Sequence, residues 1–173
     1  MNALGIVFSY SEHENLRELT KHRTLASVPF GGKYRIIDFI LSNFVNSGIH
    51  DVSIITQRNF HSLVDHLGAG KEWDLTRKIG GLRILSPFSV PGMPDASGTY
   101  LGTIDALYKS MYSVKLSRAD YVILTGGNII CSIDYDEILK SHIDRNADIT
   151  AIYANPAEGR PVPPGAAMFR IDE

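Results

Sequence analysis

A single cysteine, Cys131, stands in 173 residues, so no internal disulfide framework holds this chain together. Charge of one sign is equally scarce. Seventeen Lys and Arg face 19 Asp and Glu, for a formal net charge of -2, and the pI is near 6.3. That balance supplies no basic field for nucleic acid or for an anionic membrane surface, and neither is expected as a partner. No apolar run approaches the roughly 18 to 20 residues that a membrane span needs. The opening Met1-Asn2-Ala3-Leu4-Gly5 has neither the basic start nor the long apolar middle of a secretory signal, which makes the cytoplasm the expected compartment. The six histidines form no HExxH and no Cys/His spacing for zinc; His61 and His66 read as packed or exposed helix residues. Cys131 lies in a loop with no evident base, so no nucleophilic catalytic set can be argued.

What is present is ordinary globular material, 44% hydrophobic and 21% charged, enough for one sizeable core and one domain. Buried-strand runs are expected at Ala3 to Phe8, Asp51 to Thr56, Leu82 to Leu85, Tyr121 to Leu124, Asp148 to Tyr153 and near Ala166 to Ile171. Helical spacing marks Ile36 to Ser47 with a stop at Gly48, Ser62 to Leu67 closed by Gly68, Thr103 to Leu116, and Tyr135 to Ile143. Loops are expected from Ser86 to Gly98 and around Pro156 to Pro164. Such alternation predicts an α/β fold, a Rossmann-like and mostly parallel sheet covered by helices on both faces. The chain stops at Arg170-Ile171-Asp172-Glu173, directly after a strand-like segment, and a fragment of a longer protein is expected on that ground.

One further absence is local. The first strand runs straight into Ser9-Tyr10-Ser11-Glu12-His13-Glu14-Asn15, which has no glycine and carries two carboxylates. In a nucleotide-binding α/β domain, glycines at this turn let backbone N–H groups close on phosphates. Further on, Gly31-Gly32-Lys33-Tyr34-Arg35 places a glycine pair and two cations before an amphipathic helix. The helix dipole and the cations suit phosphate groups, and the same residues also fit a plain turn with solvated cations.

That block, with Leu16-Arg17-Glu18-Leu19-Thr20, Asn46-Ser47-Gly48-Ile49, Thr56-Gln57, Trp73-Asp74-Leu75, Gly102-Thr103-Ile104-Asp105-Ala106 and Asp134-Tyr135, resembles the ADP-glucose pyrophosphorylase (glucose-1-phosphate adenylyltransferase) family over nearly the whole chain. The resemblance implies a GT-A-like nucleotidyltransferase domain, with residues 1–173 as its N-terminal part and the family's left-handed β-helix domain absent. It also implies nucleotide contacts by Gln57, Gly102, Thr103 and Asp105, and sensing of a phosphorylated-sugar or nucleotide effector by Lys33 and Arg35.

The departures fall where the family does its chemistry. Its first loop, Gly-Gly-x-Gly-(Thr/Ser)-Arg-Leu, corresponds here to Tyr10, Ser11, Glu12, His13, Glu14 and Asn15 before Leu16, so the glycines and the arginine are gone. Glu12 and Glu14 would repel phosphate oxygens by several kcal/mol at ~4 Å with ε about 20. Leu25 stands where a lysine meets phosphate, and Gly127 stands where an aspartate holds the family's Mg²⁺, without a side-chain oxygen to offer a hard cation. Asn15, Leu25 and Gly127 are therefore degenerate catalytic positions; no catalytic residue, no resident metal and no cofactor are expected in this chain. The pattern is similar to the GlgD-type regulatory subunit of the family, which implies a catalytic paralogue as partner in a heterotetramer. The alternatives are an active adenylyltransferase that recruits Asp38, Asp95 or Asp105 to a rearranged site, and a nucleotide or sugar-phosphate binding module.

Overall fold

The structure, a computed structural model, describes residues 2–10, 14–87 and 99–154. Four strands form one sheet: β1 (Ala3–Phe8), β4 (Asp51–Ile55), β5 (Gly81–Leu85) and β6 (Tyr121–Gly126), in the order β5-β4-β1-β6. Every pairing is parallel, with Leu4 opposite Asp51 and Val122, and Phe8 opposite Ile55 and Gly126. All six residues of β1 are buried. A strand apolar on both faces must lie between covering layers, which is why the run Ala-Leu-Gly-Ile-Val-Phe becomes a central parallel strand.

The covers come from both sides. Helix α1 (Ile36–Asn46) buries Ile36, Ile37, Ile40, Leu41 and Phe44. The Phe44 ring sits where a Cβ on Gly5 would stand, 2.8 Å from its atoms, so β1 needs glycine at that point. Asp38 in the first turn of α1 accepts a hydrogen bond from the Arg35 N–H at 2.9 Å, and Gly48, at φ +76, ends the helix in a left-handed turn. On the opposite face, Leu4, Ile6 and Phe8 join Ile55, Tyr100 and Ala106 in a buried cluster, flanked by Leu107 and Val114. These last residues belong to α3 (Thr103–Lys109) and α4 (Met111–Leu116). Helix α2 (His61–Leu67) buries Leu63 and Leu67 and ends at Gly68.

The expected single helix over Thr103 to Leu116 is two helices. Ser110, buried, closes α3 and opens α4, its N–H bonded to the carbonyls of Ala106 and Leu107. The apolar spacing continues across the break, so periodicity alone does not reveal it. The glycine pair at 31 and 32 forms the turn its sequence suggests, inside a short hairpin that the sequence did not announce. Pro29–Phe30 (β2) and Tyr34–Arg35 (β3) pair antiparallel around it, and Gly31 and Gly32, at φ +63 and +80, supply the left-handed turn.

The chain divides into two compact units, Met1–Ile138 and Leu139–Glu173, with α5 (Tyr135–Asp144) running across the division. In the second unit the expected strand at Asp148 to Tyr153 is not formed: residues 149–154 have no regular structure and Ile149 is 88% exposed. A strand needs a ladder partner, whereas here Thr150 is held by its hydroxyl at 2.7 Å from His142 Nδ1. The expected strand near 166–171, the proline loop and residues 88–98 of the Ser86 to Gly98 loop lie outside the described residues. No helix among the described residues is long and apolar enough to cross a membrane.

Candidate functional site

The strands of a parallel sheet end together, and ligands of open α/β sheets sit beyond those carboxyl ends, where connections leave on opposite faces. In this chain α1 follows β1 on one face and α3 and α4 precede β6 on the other, so the crevice is expected between β1 and β6. The strand ladders run right up to this end. Gly127 N–H donates to Phe8 O at 2.8 Å, and Ser9 N–H donates to Ile55 O at 2.8 Å. A Cβ built on Gly127 would lie 3.0 Å from Phe8 O, 3.1 Å from Ser9 Cα and 3.2 Å from Ala26 Cβ. A side chain there would therefore be crowded, and its neighbours would have to give by a few tenths of an ångström to admit it.

Tyr10, half-buried, packs at this end of the sheet. Its ring packs against Tyr100 at 5.5 Å and meets Phe8 edge-on at 6.2 Å. Burial pushes the Tyr10 phenol up, partly offset by the Thr103 hydroxyl beside it. Burial also drives the Tyr100 phenol up to about 12, opposed by the Ser110 hydroxyl. Two neutral phenols thus cover the end of β1, where a phosphate would want cations and N–H donors.

The residues expected to touch nucleotide are brought to this end, but two of them are already engaged. Gln57 follows β4, and its Oε1 accepts from Tyr100 N–H at 3.1 Å. Asp105 accepts from Leu101 N–H at 2.9 Å and pairs with Lys109 at 3.1 Å. The Leu101 hydrogen bond, with help from Lys109, holds the Asp105 carboxyl below the usual carboxylate range. That arrangement caps α3 and ties its first turn to Lys109 four residues on. Gly102 and Thr103 are exposed at the start of α3, and a Cβ on Gly102 would meet nothing within 4 Å, so packing does not require glycine there.

Asp38, one of the carboxylates considered for a rearranged site, is buried between Arg35 N–H and His66 Nε2, the latter at 2.6 Å. Asp95 lies outside the described residues. Leu25 is half-buried in the 3-10 turn Leu25–Ser27, and Asn15 falls in another, Glu14–Leu19; residues 11–13 lie outside the described residues. Among the described residues no group of three or more His, Cys, Asp and Glu side chains is arranged to hold a metal ion. Gly127 at the end of β6 offers no side-chain oxygen, so this position does not fit the Mg²⁺ that the resemblance brings with it.

Lys33 and Arg35 part company. Lys33 is exposed in the β2–β3 turn, 5.9 Å from the Tyr34 ring centroid. Arg35 is half-buried, and its Nη1 donates to Ser62 Oγ at 2.8 Å and to the Ser62 carbonyl, binding α1 to α2. The roles of Tyr10 and Tyr100 were not read from the sequence; an aromatic in place of a loop glycine was the available signal.

The sequence profile of the family described as nucleotidyl transferase matches residues 6–167, and the chain belongs to that family. Within it, the motif resemblance is borne out by curated relatives. The glucose-1-phosphate adenylyltransferase of Clostridium novyi (strain NT) is 40% identical over 147 residues, covering 85% of this chain and 38% of the relative. That of Fervidobacterium nodosum is 42% identical over 146 residues, covering 84% and 34%. The glycogen biosynthesis protein GlgD of Geobacillus stearothermophilus is 38% identical over 149 residues, covering 86% and 43%. The chain thus spans well under half the length of each.

Proposed function

We propose that this chain is part of a regulatory subunit of glucose-1-phosphate adenylyltransferase, silent or weak in forming ADP-glucose and diphosphate from ATP and glucose 1-phosphate, and acting on a catalytic paralogue in a hetero-oligomer. The observation that carries this reading is Gly127, which offers no carboxylate and whose missing Cβ would already crowd Phe8 O and Ser9 Cα. Phosphoryl transfer depends on positioned counter-charge, and without it the developing charge is uncompensated. Leu25 and the tyrosine-filled corner support the same reading, as does similarity to a relative named GlgD. The engagement of Asp38 and Asp105 in capping contacts weighs against their recruitment to a rearranged site. Gly102 and Thr103 keep room for residual nucleotide binding, and Lys33 is the freer of the two effector candidates.

The test is turnover by the purified full-length protein with ATP and glucose 1-phosphate, alone and mixed with its paralogue. Little ADP-glucose is expected from the protein alone, and a changed rate or activator response from the mixture. Robust turnover by the protein alone overturns the reading.

A further inference from the structure

A cavity of about 700 Å³ opens at the amino ends of the strands, opposite the corner that holds Tyr10 and Gly127. Its walls carry Arg77, Lys78, Arg83, Arg118 and His50, against Asp51 as the one carboxylate. Asp51 is already satisfied, since it pairs with Arg83 and accepts from Ser117 Oγ at 2.7 Å. Arg83 is further fixed by its Nε–H to Ser53 Oγ at 3.3 Å. Arg77 pairs with Asp74, which is outside the cavity lining. Lys78 and Arg118 are exposed, and neither side chain has a hydrogen-bond or ion-pair partner among the described residues.

The cavity is built rather than incidental. The loop carrying Arg77 and Lys78 is clamped by Gly81 N–H to His50 O at 2.7 Å and by Leu82 N–H to Leu75 O at 3.0 Å. Gly81 takes φ +87, and a Cβ there would lie 2.6 Å from Leu75 O, so only glycine lets the loop close down onto the sheet. On the other wall, Asn2 Nδ2 donates to Arg118 O at 2.6 Å, which holds the end of α4 beside the start of β1.

We propose that this cavity binds a small phosphorylated anion. Arg118 offers a guanidinium fork that matches phosphate oxygens two at a time, Lys78 adds an ammonium beside it, and the paired Arg77 and Arg83 add to the positive field of a concave wall whose volume suits a small molecule better than a flat macromolecular face. The cations are gathered on a chain whose net charge is -2, so a general affinity for polyanions does not account for them. This site is separate from Lys33 and Arg35 and does not rest on the regulatory reading.

The experiment is calorimetric titration of the intact protein with inorganic pyrophosphate, inorganic phosphate and citrate. Saturable pyrophosphate binding is expected, tighter than phosphate and at least tenfold tighter than citrate. The double variant Lys78→Glu/Arg118→Glu is expected to lose at least tenfold in affinity, while the control Lys21→Glu/Lys71→Glu, with the same change in net charge, keeps it. If the reversal variant does not fold, Lys78→Ala/Arg118→Ala takes its place, with a loss of at least threefold. No saturable binding, equal loss in the control, or undiminished binding in the cavity variants overturns the site. Citrate binding as tightly as pyrophosphate overturns the assignment to phosphate.

Discussion

At the carboxyl end of β1 the groups that meet are two tyrosines, a phenylalanine and the backbone around Gly127, whose N–H continues the strand ladder onto Phe8. At the amino end of the same strand, three guanidiniums and a lysine surround open space. A parallel sheet normally places its ligand at the first of these ends, because the strand termini, loop N–H groups and helix starts converge there. Among the described residues that end carries aromatic rings and backbone, and the opposite end is concave and cationic. A shared fold therefore fixes where ligands can sit, while side chains set the charge that each end offers.

The contrast can be broken from either end. The largest effect is expected at the cavity. Gly81→Ala forces a left-handed alanine and a 2.6 Å approach to Leu75 O, which should cost about 3 kcal/mol, read as a lower urea midpoint, and abolish pyrophosphate binding. Next comes the tyrosine corner. The Tyr100 phenol ionises near 10 when unfolded and at about 12 when folded, so the fold favours its neutral form. Its contribution, on the order of 2 kcal/mol, is fully present below pH 10 and is lost as pH rises through 12. Urea unfolding at pH 9 and at stepped higher pH should show this decline, and Tyr100→Phe should make it shallower, leaving the part that the raised Tyr10 and Tyr135 phenols contribute.

Gly127→Asp tests the crowding at the end of β6 directly. It should destabilise the protein by about 1 to 2 kcal/mol through crowding against Phe8 O and Ser9 Cα, without creating ADP-glucose synthesis by the protein alone. Arg35→Ala should cost about 1 kcal/mol by releasing Ser62, whereas Lys33→Ala should stay within about 0.5 kcal/mol of the parent, as chemical denaturation would show. The smallest effect belongs to Asp105. Its carboxyl is held below the usual range, so its stabilisation is present above pH 4 and fades as pH falls through the folded value; Asp105→Asn should remove that acid dependence and little else.

The strands at the centre of the sheet were legible because their runs are apolar on both faces and bounded by glycine or polar residues, as in Ala3 to Phe8 and Asp51 to Ile55. The loss of chemistry at Gly127 was also legible, since a missing carboxylate is visible as a letter. What filled the corner was not. Tyr10 and Tyr100 meet only because β1 and the turn before α3 come together, and no local pattern encodes that meeting. The break at Ser110 hid inside an unbroken apolar period. The strand expected at Asp148 to Tyr153 shows the converse, since an apolar run supplies the propensity for a strand but not the neighbour it must pair with. The cavity was the least legible feature, with Asn2, His50, Arg77 and Arg118 gathered by topology alone.

The position of β1 between β4 and β6 also has a consequence for how the protein is made. On the ribosome, the first strand synthesised gains its first neighbour when residues 51–55 emerge and its second only with residues 121–126. At about 5 to 20 residues per second, the interval between the two is roughly 4 to 14 s. For that time one side of a wholly apolar strand has no hydrogen-bonding partner, so nascent chains that end before residue 126 carry an unpaired apolar edge open to aggregation.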